Sequence, residues 1–193
     1  MKLSCAPATL GRMNLRDRPP FFNGDNPVDA LLGFHRRIER QLAALGALPA
    51  RLEARGVDAE TSAGAAASVA FFSGTIELHH ADESELLTLL DARLRVPSER
   101  SEFEDLRQRL ESEHRQMDVT WRSLRRPLEG IAEGMNRRLP TDLLQYFRAL
   151  HGGHIAEEEA RLHLLAARLL PPADCAALAR GMDARRVRKH RFQ

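Results

Sequence analysis

Hydrophobic residues recur at three- and four-residue intervals over four long stretches of this chain, the period of a helix that buries one face. The first stripe reads Val28, Leu31, His35, Ile38, Leu42, Leu45 and comes after Asn26-Pro27, a cap residue with a proline at the first helical position. Gly46 and Pro49 interrupt it, yet Leu48 and Leu52 carry a kinked continuation to about Arg55, and Gly56 ends it. A second helix, from near Glu60, runs through Phe72, Ile76, His79, Glu83, Leu86 and Leu90 and exits over Arg95 to Pro97. The third opens at Ser98 and runs Leu106, Leu110, His114, Met117, Trp121, Leu124, Leu128, Ile131, with Pro127 expected to kink rather than end it. The fourth starts at Thr141 and runs through Leu144, Phe147, His151, His154, Glu158, Leu162, Leu165 and Leu169 before Pro171-Pro172 close it.

Four amphipathic helices joined by short breaks predict an all-α, up-down-up-down four-helix bundle over residues 27–170. Residues 1–26, with Pro19, Pro20 and Gly24, read as an extended N-terminal arm. Residues 171–193 read as a short helix from about Ala173 to Met182 with a basic tail after it. Helix lengths test this arrangement at a rise of about 1.5 Å per residue. His35 to Arg55 is 20 residues and Glu60 to His79 is 19, so the two histidines come out level. His114 to Asn136 is 22 and Thr141 to His154 only 13, a mismatch that a kink at Pro127 or an early helix end near Gly134 must absorb.

Composition narrows the class without changing this picture. A 193-residue chain with 43% hydrophobic and only 5% aromatic residues builds one helical core and almost no sheet. The net charge of +2 conceals a cluster of Arg185, Arg186, Arg188, Lys189, His190 and Arg191. Such an end is expected to be solvated and mobile rather than a nucleic-acid contact. Cys5 and Cys175 lack CxxC spacing and suit free thiols in a reducing cytoplasm. No apolar run reaches the length of a membrane span and the N-terminus lacks the run of a signal peptide, so a soluble cytoplasmic protein is expected.

The chemistry lies where polar residues break the apolar stripes. His35, His79, His114 and His154 each take a core position on a different helix, and Glu83 and Glu158 stand four residues after two of them. Residues four apart share a helix face, so each His-x-x-x-Glu pair aims an imidazole and a carboxylate at one point. Seven of the eight histidines have a residue at i+4, and four of those residues are acidic (Glu39, Glu83, Asp118, Glu158), against about one expected by chance. Glu39 and Asp118 fall beside their stripes, whereas Glu83 and Glu158 fall among leucines and phenylalanines. An unpartnered carboxylate there costs several kcal/mol, and a metal cation removes that cost. His35, His79, Glu83, His114, His154 and Glu158 are therefore the candidate ligands of a dinuclear site. Imidazole and carboxylate without thiolate suit two iron ions first, with oxide or hydroxide as a bridge, and manganese or zinc after them.

His79-His80-Ala81-Asp82-Glu83 and His154-Ile155-Ala156-Glu157-Glu158 resemble the HHxxE and HIxxEE signatures of the hemerythrin-like, or HHE cation-binding, family. Phe34-His35-Arg36-Arg37-Ile38 and Glu113-His114 are similar to its first and third ligand helices, and the resemblance spans about residues 27 to 170. It implies a non-haem di-iron centre with the same six ligands, a set closest to that of the family's iron-sulfur-cluster repair proteins. Oxygen-carrying members use a further histidine one turn from the third-helix ligand, where this chain has Leu110 and Asp118. His80 is expected at a helix interface or hydrogen-bonded to a carboxylate beside the metals. His151 is a less favoured seventh ligand, and Gly152-Gly153 offers a close approach to another helix or a small ligand.

Binding or sensing of dioxygen, nitric oxide or peroxide, or iron handling in redox stress, is the expected function. No Ser/His/Asp or Cys/His nucleophile arrangement or phosphate-binding glycine loop points to turnover of another kind. Two alternatives stand beside it: a metal-free interaction module with buried polar networks, and a regulator whose basic tail contacts nucleic acid or a partner.

Overall fold

The computed structural model describes residues 26–135 and 138–191, with side chains up to 188. The expected N-terminal arm, apart from Asn26, lies outside the described residues. Among those residues there are helices and connections but no strands. Helix α1 (Pro27–Arg55) starts where the Asn26 side chain accepts a hydrogen bond from the Val28 N–H, and it runs unbroken past Pro49 to Gly56 (φ 68°). Helix α2 (Ala59–Ala70) opens with a capping box between Asp58 and Thr61. It passes through one π-helical turn, Phe71–Thr75, directly into α3 (Ile76–Arg93), so the two form one rod. Helix α4 (Pro97–Ala132) continues through Pro127. Helix α5 (Thr141–Glu157) continues through a second π-helical turn, Glu158–Leu162, into α6 (His163–Leu169).

Successive rods run antiparallel. Along α1 and the α2–α3 rod, Leu48 faces Gly64 at one end and His35 faces His79 toward the other. The Ser62 hydroxyl donates to the Ile131 carbonyl while Arg100 donates to the Leu94 carbonyl, which sets α4 against the same rod. Tyr146 to Gln116, Arg109 to Glu157 and Arg168 to Glu99 then tie α5 and α6 along α4. Of the two devices for levelling the third hairpin, an early helix end is present: α4 stops at Ala132 and Gly134 turns the chain at φ 81°. Leu139, in the connection, is buried with Leu128, Ile131 and Leu144.

The apolar interior falls into two clusters. One holds Ile38, Leu45, Phe72, Trp121, Leu124 and Phe147. The other holds Leu31, Leu86, Leu90, Leu106, Leu110 and Leu162. Buried polar side chains lie between them in sequence on three rods: His35 on α1, His79 and Glu83 on α3, and His154 and Glu158 at the α5 junction.

The C-terminal expectation needs correction. Helix α7 runs from Pro172 to Arg191 rather than stopping near Met182: Leu178 and Met182 anchor its first half in the second cluster, and past them Arg185 and Arg186 pair with acids of α3. Arg185 and Arg186 are not free solvated charges either. Arg185 donates from Nε to the Asp82 carboxylate (2.6 Å) and from its terminal nitrogen to Glu85 (2.6 Å), and Arg186 donates to the other Asp82 oxygen (2.9 Å). Asp82 is fully buried, so these two guanidinium groups keep it from being a stranded charge.

Replacing Arg185 and Arg186 together by alanine should therefore lower the unfolding free energy by about 2–4 kcal/mol, the usual loss when a buried ion keeps no partner. Urea denaturation of the double variant measures it, and Asp82→Asn added to that background should recover part of the loss. A change under about 0.5 kcal/mol would show that α7 is held by Leu178 and Met182 alone.

Candidate metal centre

The helical period explains how residues far apart in sequence reach one point. On α3, His79 and Glu83 are one turn apart, and their Nε2 and Oε1 atoms lie 2.6 Å apart. His154 and Glu158 repeat the arrangement at the α5 junction, at 3.4 Å. Glu83 presents its other oxygen to His114 Nε2 at 3.2 Å, and Glu158 presents its other oxygen to His35 Nε2 at 3.0 Å. The Nε2 atoms of His114 and His154 stand 2.9 Å from each other. Each carboxylate thus turns one oxygen toward His35 and His79 and the other toward His114 and His154.

Two groups of metal-ligating atoms result, each spanning no more than 4.8 Å: His35, His79, Glu83 and Glu158, and Glu83, His114, His154 and Glu158. All six residues expected from the sequence are brought together, and both glutamates belong to both groups.

The separations bear on what the site can hold. At metal–ligand bonds of about 2.1 Å, neighbouring ligands at right angles are about 3 Å apart. The contacts within each group fall around that value. The Nε2 atoms of His35 and His79 and all four oxygens of Glu83 and Glu158 are buried without a hydrogen bond of acceptable geometry. Atoms that face one another at contact distance without forming hydrogen bonds suit shared coordination to a cation. The residues present fit a metal pair.

Charge tells the same story in protonation terms. Burial opposes a charged His35, but Glu158, Glu159 and Glu83 outweigh it and push its pKa up to about 11. Burial likewise opposes a charged His154, and Glu158, Glu83 and Glu113 raise it to about 9. For Glu83, burial favours the neutral acid, but His79, His114 and His35 hold the carboxylate well below its ordinary range. Glu158 is also lowered: burial and the Glu83 charge push it up, and His154 and His35 prevail. Without metal, the two carboxylates thus favour protons on His35 and His154.

Two carboxylates outside the six candidate ligands orient two of the histidines. The His154 Nδ1–H donates to Glu113 at 2.7 Å, and the His35 Nδ1–H donates to Glu159 at 3.2 Å. One imidazole in each group is thereby held with its Nε2 turned inward. Neither acid stands out in the sequence, since each sits beside a candidate ligand rather than on an apolar stripe.

His80 stacks on the His114 ring (3.8 Å between centroids, 21°), which places it at the helix interface. His151 is not brought into either ligand group. Its Nδ1–H donates to the Phe147 carbonyl (2.9 Å) and its ring packs on Phe72 and Phe147. A side chain added at Gly152 or Gly153 would meet nothing within 4 Å, so the close approach expected there does not occur among the described residues. Both glycines face outward because the apolar stripe of α5 passes through His151 and His154 instead.

His163 is a buried residue that the sequence pattern does not single out. It is 3% exposed, and its ring lies 5.1 Å from that of His35. Five residues after Glu158, it is off the stripe of an ordinary α-helix, and only the π-helical turn returns it to the interior.

Comparison with known proteins agrees with this geometry. An uncharacterised protein of Haemophilus influenzae is 24% identical over 148 residues, covering 76% of this chain and 83% of the relative. Residues 26–166 match the model of the hemerythrin HHE cation binding domain. The match takes in all four rods that converge on the two buried glutamates, and the chain belongs to the hemerythrin HHE cation-binding domain family.

Proposed function

We propose that this protein binds two iron ions through His35, His79, Glu83, His114, His154 and Glu158, and uses them to bind or sense a small molecule or to handle iron in redox stress. One observation carries the reading: two four-residue ligand groups share two carboxylates, each with one oxygen directed to either group. Sharing of that kind keeps two cations near each other and offsets their charge. Hard carboxylate and imidazole donors without thiolate favour iron, then manganese, over softer metals. Bound iron supplies redox and small-ligand chemistry at its open positions.

The chain's own residues set the conditions for it. His35, His79, Glu83 and Glu158 are sealed from solvent, while the His114 side chain retains 15% exposure and marks the open edge of the site. Dioxygen, nitric oxide and peroxide are small enough to enter by such an edge. Four histidines and two glutamates match the set of the family's iron-sulfur-cluster repair members, with which we group this chain. The bundle over residues 27–170 is the functional unit in this reading, the free thiol of Cys175 suits the cytoplasm, and no helix among the described residues is long and apolar enough to cross a membrane. Pairing of Arg185 and Arg186 with Asp82 and Glu85 leaves those two basic residues engaged within the fold and weakens the nucleic-acid alternative.

Anaerobic loading with ferrous iron should give about two irons per chain by elemental analysis, and Glu83→Ala should reduce the content to one or fewer because both groups lose a donor. A protein that stays iron-free and equally stable after loading would support the metal-free module. Glu113→Ala should keep the fold and weaken iron binding about 10–100-fold, the usual effect of removing a carboxylate that orients a ligand histidine. Competition with a chelator measures it.

Stability against pH separates the two states. In metal-free protein His35 and His154 have folded pKa values above their unfolded 6.5, so their contribution is complete below pH 6.5 and lost as pH rises through about 9 to 11. His80 and His151, held by burial at about 3 and about 4, act oppositely: their contribution is present above pH 6.5 and lost on acidification. Glu83 and Glu158, both lowered, add to the acid loss below pH 4.5. Urea midpoints of chelator-treated protein should therefore peak near pH 6–7. His35 and His154 would hold iron rather than protons in the loaded protein, where the alkaline decline should disappear.

A further inference from the structure

One buried group near the ligands has no part in the di-iron reading. His163 lies in the interior with both ring nitrogens unpaired among the described residues, although a neutral imidazole has one donor and one acceptor to satisfy. Its position is set by the backbone. The His163 N–H bonds to the Glu158 carbonyl five residues back, closing the wide π-helical turn Glu158–Leu162. In an ordinary α-helix a residue five positions on points about 140° away, which would turn His163 off the buried face. The wider turn keeps it on the side of Glu158, with its ring nearly parallel to that of His35 (14°). Such turns are concentrated at functional sites because they re-aim one side chain without breaking the helix.

His163 belongs to neither group of converging ligand atoms, so it stands just outside the coordination positions, on the side of His35. Leu162, Leu165 and Ala166, all within three residues of His163 in sequence, are buried in the second cluster. A polar ring with two unsatisfied nitrogens between an apolar cluster and a metal-ligand histidine has a use if something with a lone pair or a proton comes to it.

We propose that His163 is a hydrogen-bonding residue for the small ligand taken up at the His35–His79 side of the metal pair, a ligand ending in oxygen or nitrogen such as peroxide, nitric oxide or azide. This rests on the di-iron reading and adds to it a positioning residue that the six-ligand set lacks. It makes the two metal positions unequal: the His114–His154 side has the open edge, and the His35–His79 side has a buried imidazole able to hold the far atom of a bound ligand.

Azide titration of the oxidised, iron-loaded full-length protein, monitored by optical absorption, tests it alongside iron content. His163→Leu and His163→Phe should retain about two irons per chain but bind azide at least about tenfold more weakly. His163→Gln, which keeps a donor and an acceptor, should return the affinity to within about threefold of the parent. Either apolar variant keeping parental azide affinity at full iron content would overturn the proposal. So would a His163→Gln protein as weak as His163→Leu, which would assign the histidine to packing, or an apolar variant losing one iron, which would make it a direct ligand. A parent protein that loads two irons and takes no azide removes this inference alone, whereas one that loads no iron removes the di-iron reading with it.

Discussion

Everything in this bundle is arranged around two carboxylates at zero exposure in a helical interior. Glu83 and Glu158 cannot sit there as isolated ions, since removing a charge from water costs several kcal/mol even after the surroundings relax. Four imidazoles surround them, and each carboxylate faces histidines of other helices besides the one on its own rod. That mutual dependence fixes the register of all four rods. Sliding one helix by a single turn, about 5.4 Å, would strand at least one carboxylate against leucine.

Leucine-rich packing alone would not give such a register. The two apolar clusters on either side of the histidines are rich in leucine, a side chain tolerant of exchange with its own kind. The polar layer between them supplies the specificity, and Glu113 and Glu159 extend it outward by holding the far nitrogens of His154 and His35. Two π-helical turns flank this layer: Phe71–Thr75 just ahead of His79, and Glu158–Leu162 beginning at a buried glutamate of the layer itself. Each adds a residue to the local turn and so rotates the C-terminal half of its rod relative to the N-terminal half. Both rods can then present apolar side chains to the core at either end and the buried histidines and glutamates in the middle.

Helix α7 solves a related problem one position away. Asp82 precedes Glu83 and is equally buried, but it faces α7 rather than the histidines. Arg185 and Arg186 neutralise it from outside the four rods, which separates a structural carboxylate from the two that converge on the ligand histidines. Adjacent acids are thus accommodated by different partners, imidazoles for Glu83 and guanidinium groups for Asp82.

Much of this was legible in the sequence because helices convert linear spacing into direction. The stripes located the rods, Asn26-Pro27 and Gly56 bounded the first, and polar residues on apolar stripes singled out the six converging side chains. Local periodicity carries that information with no knowledge of partners. What required the tertiary structure was everything depending on a second chain segment or a change of period. Arg185 and Arg186 read as part of a solvated tail until Asp82 is seen across from them, and His151 occupies a stripe position yet turns to a carbonyl on its own helix. Glu113 and Glu159 look like surface acids until the imidazoles they orient are in place. His163 is hidden in the sequence for the plainest physical reason: a 3.6-residue turn places it off the buried face, and only the folded backbone reveals that the turn there is wider.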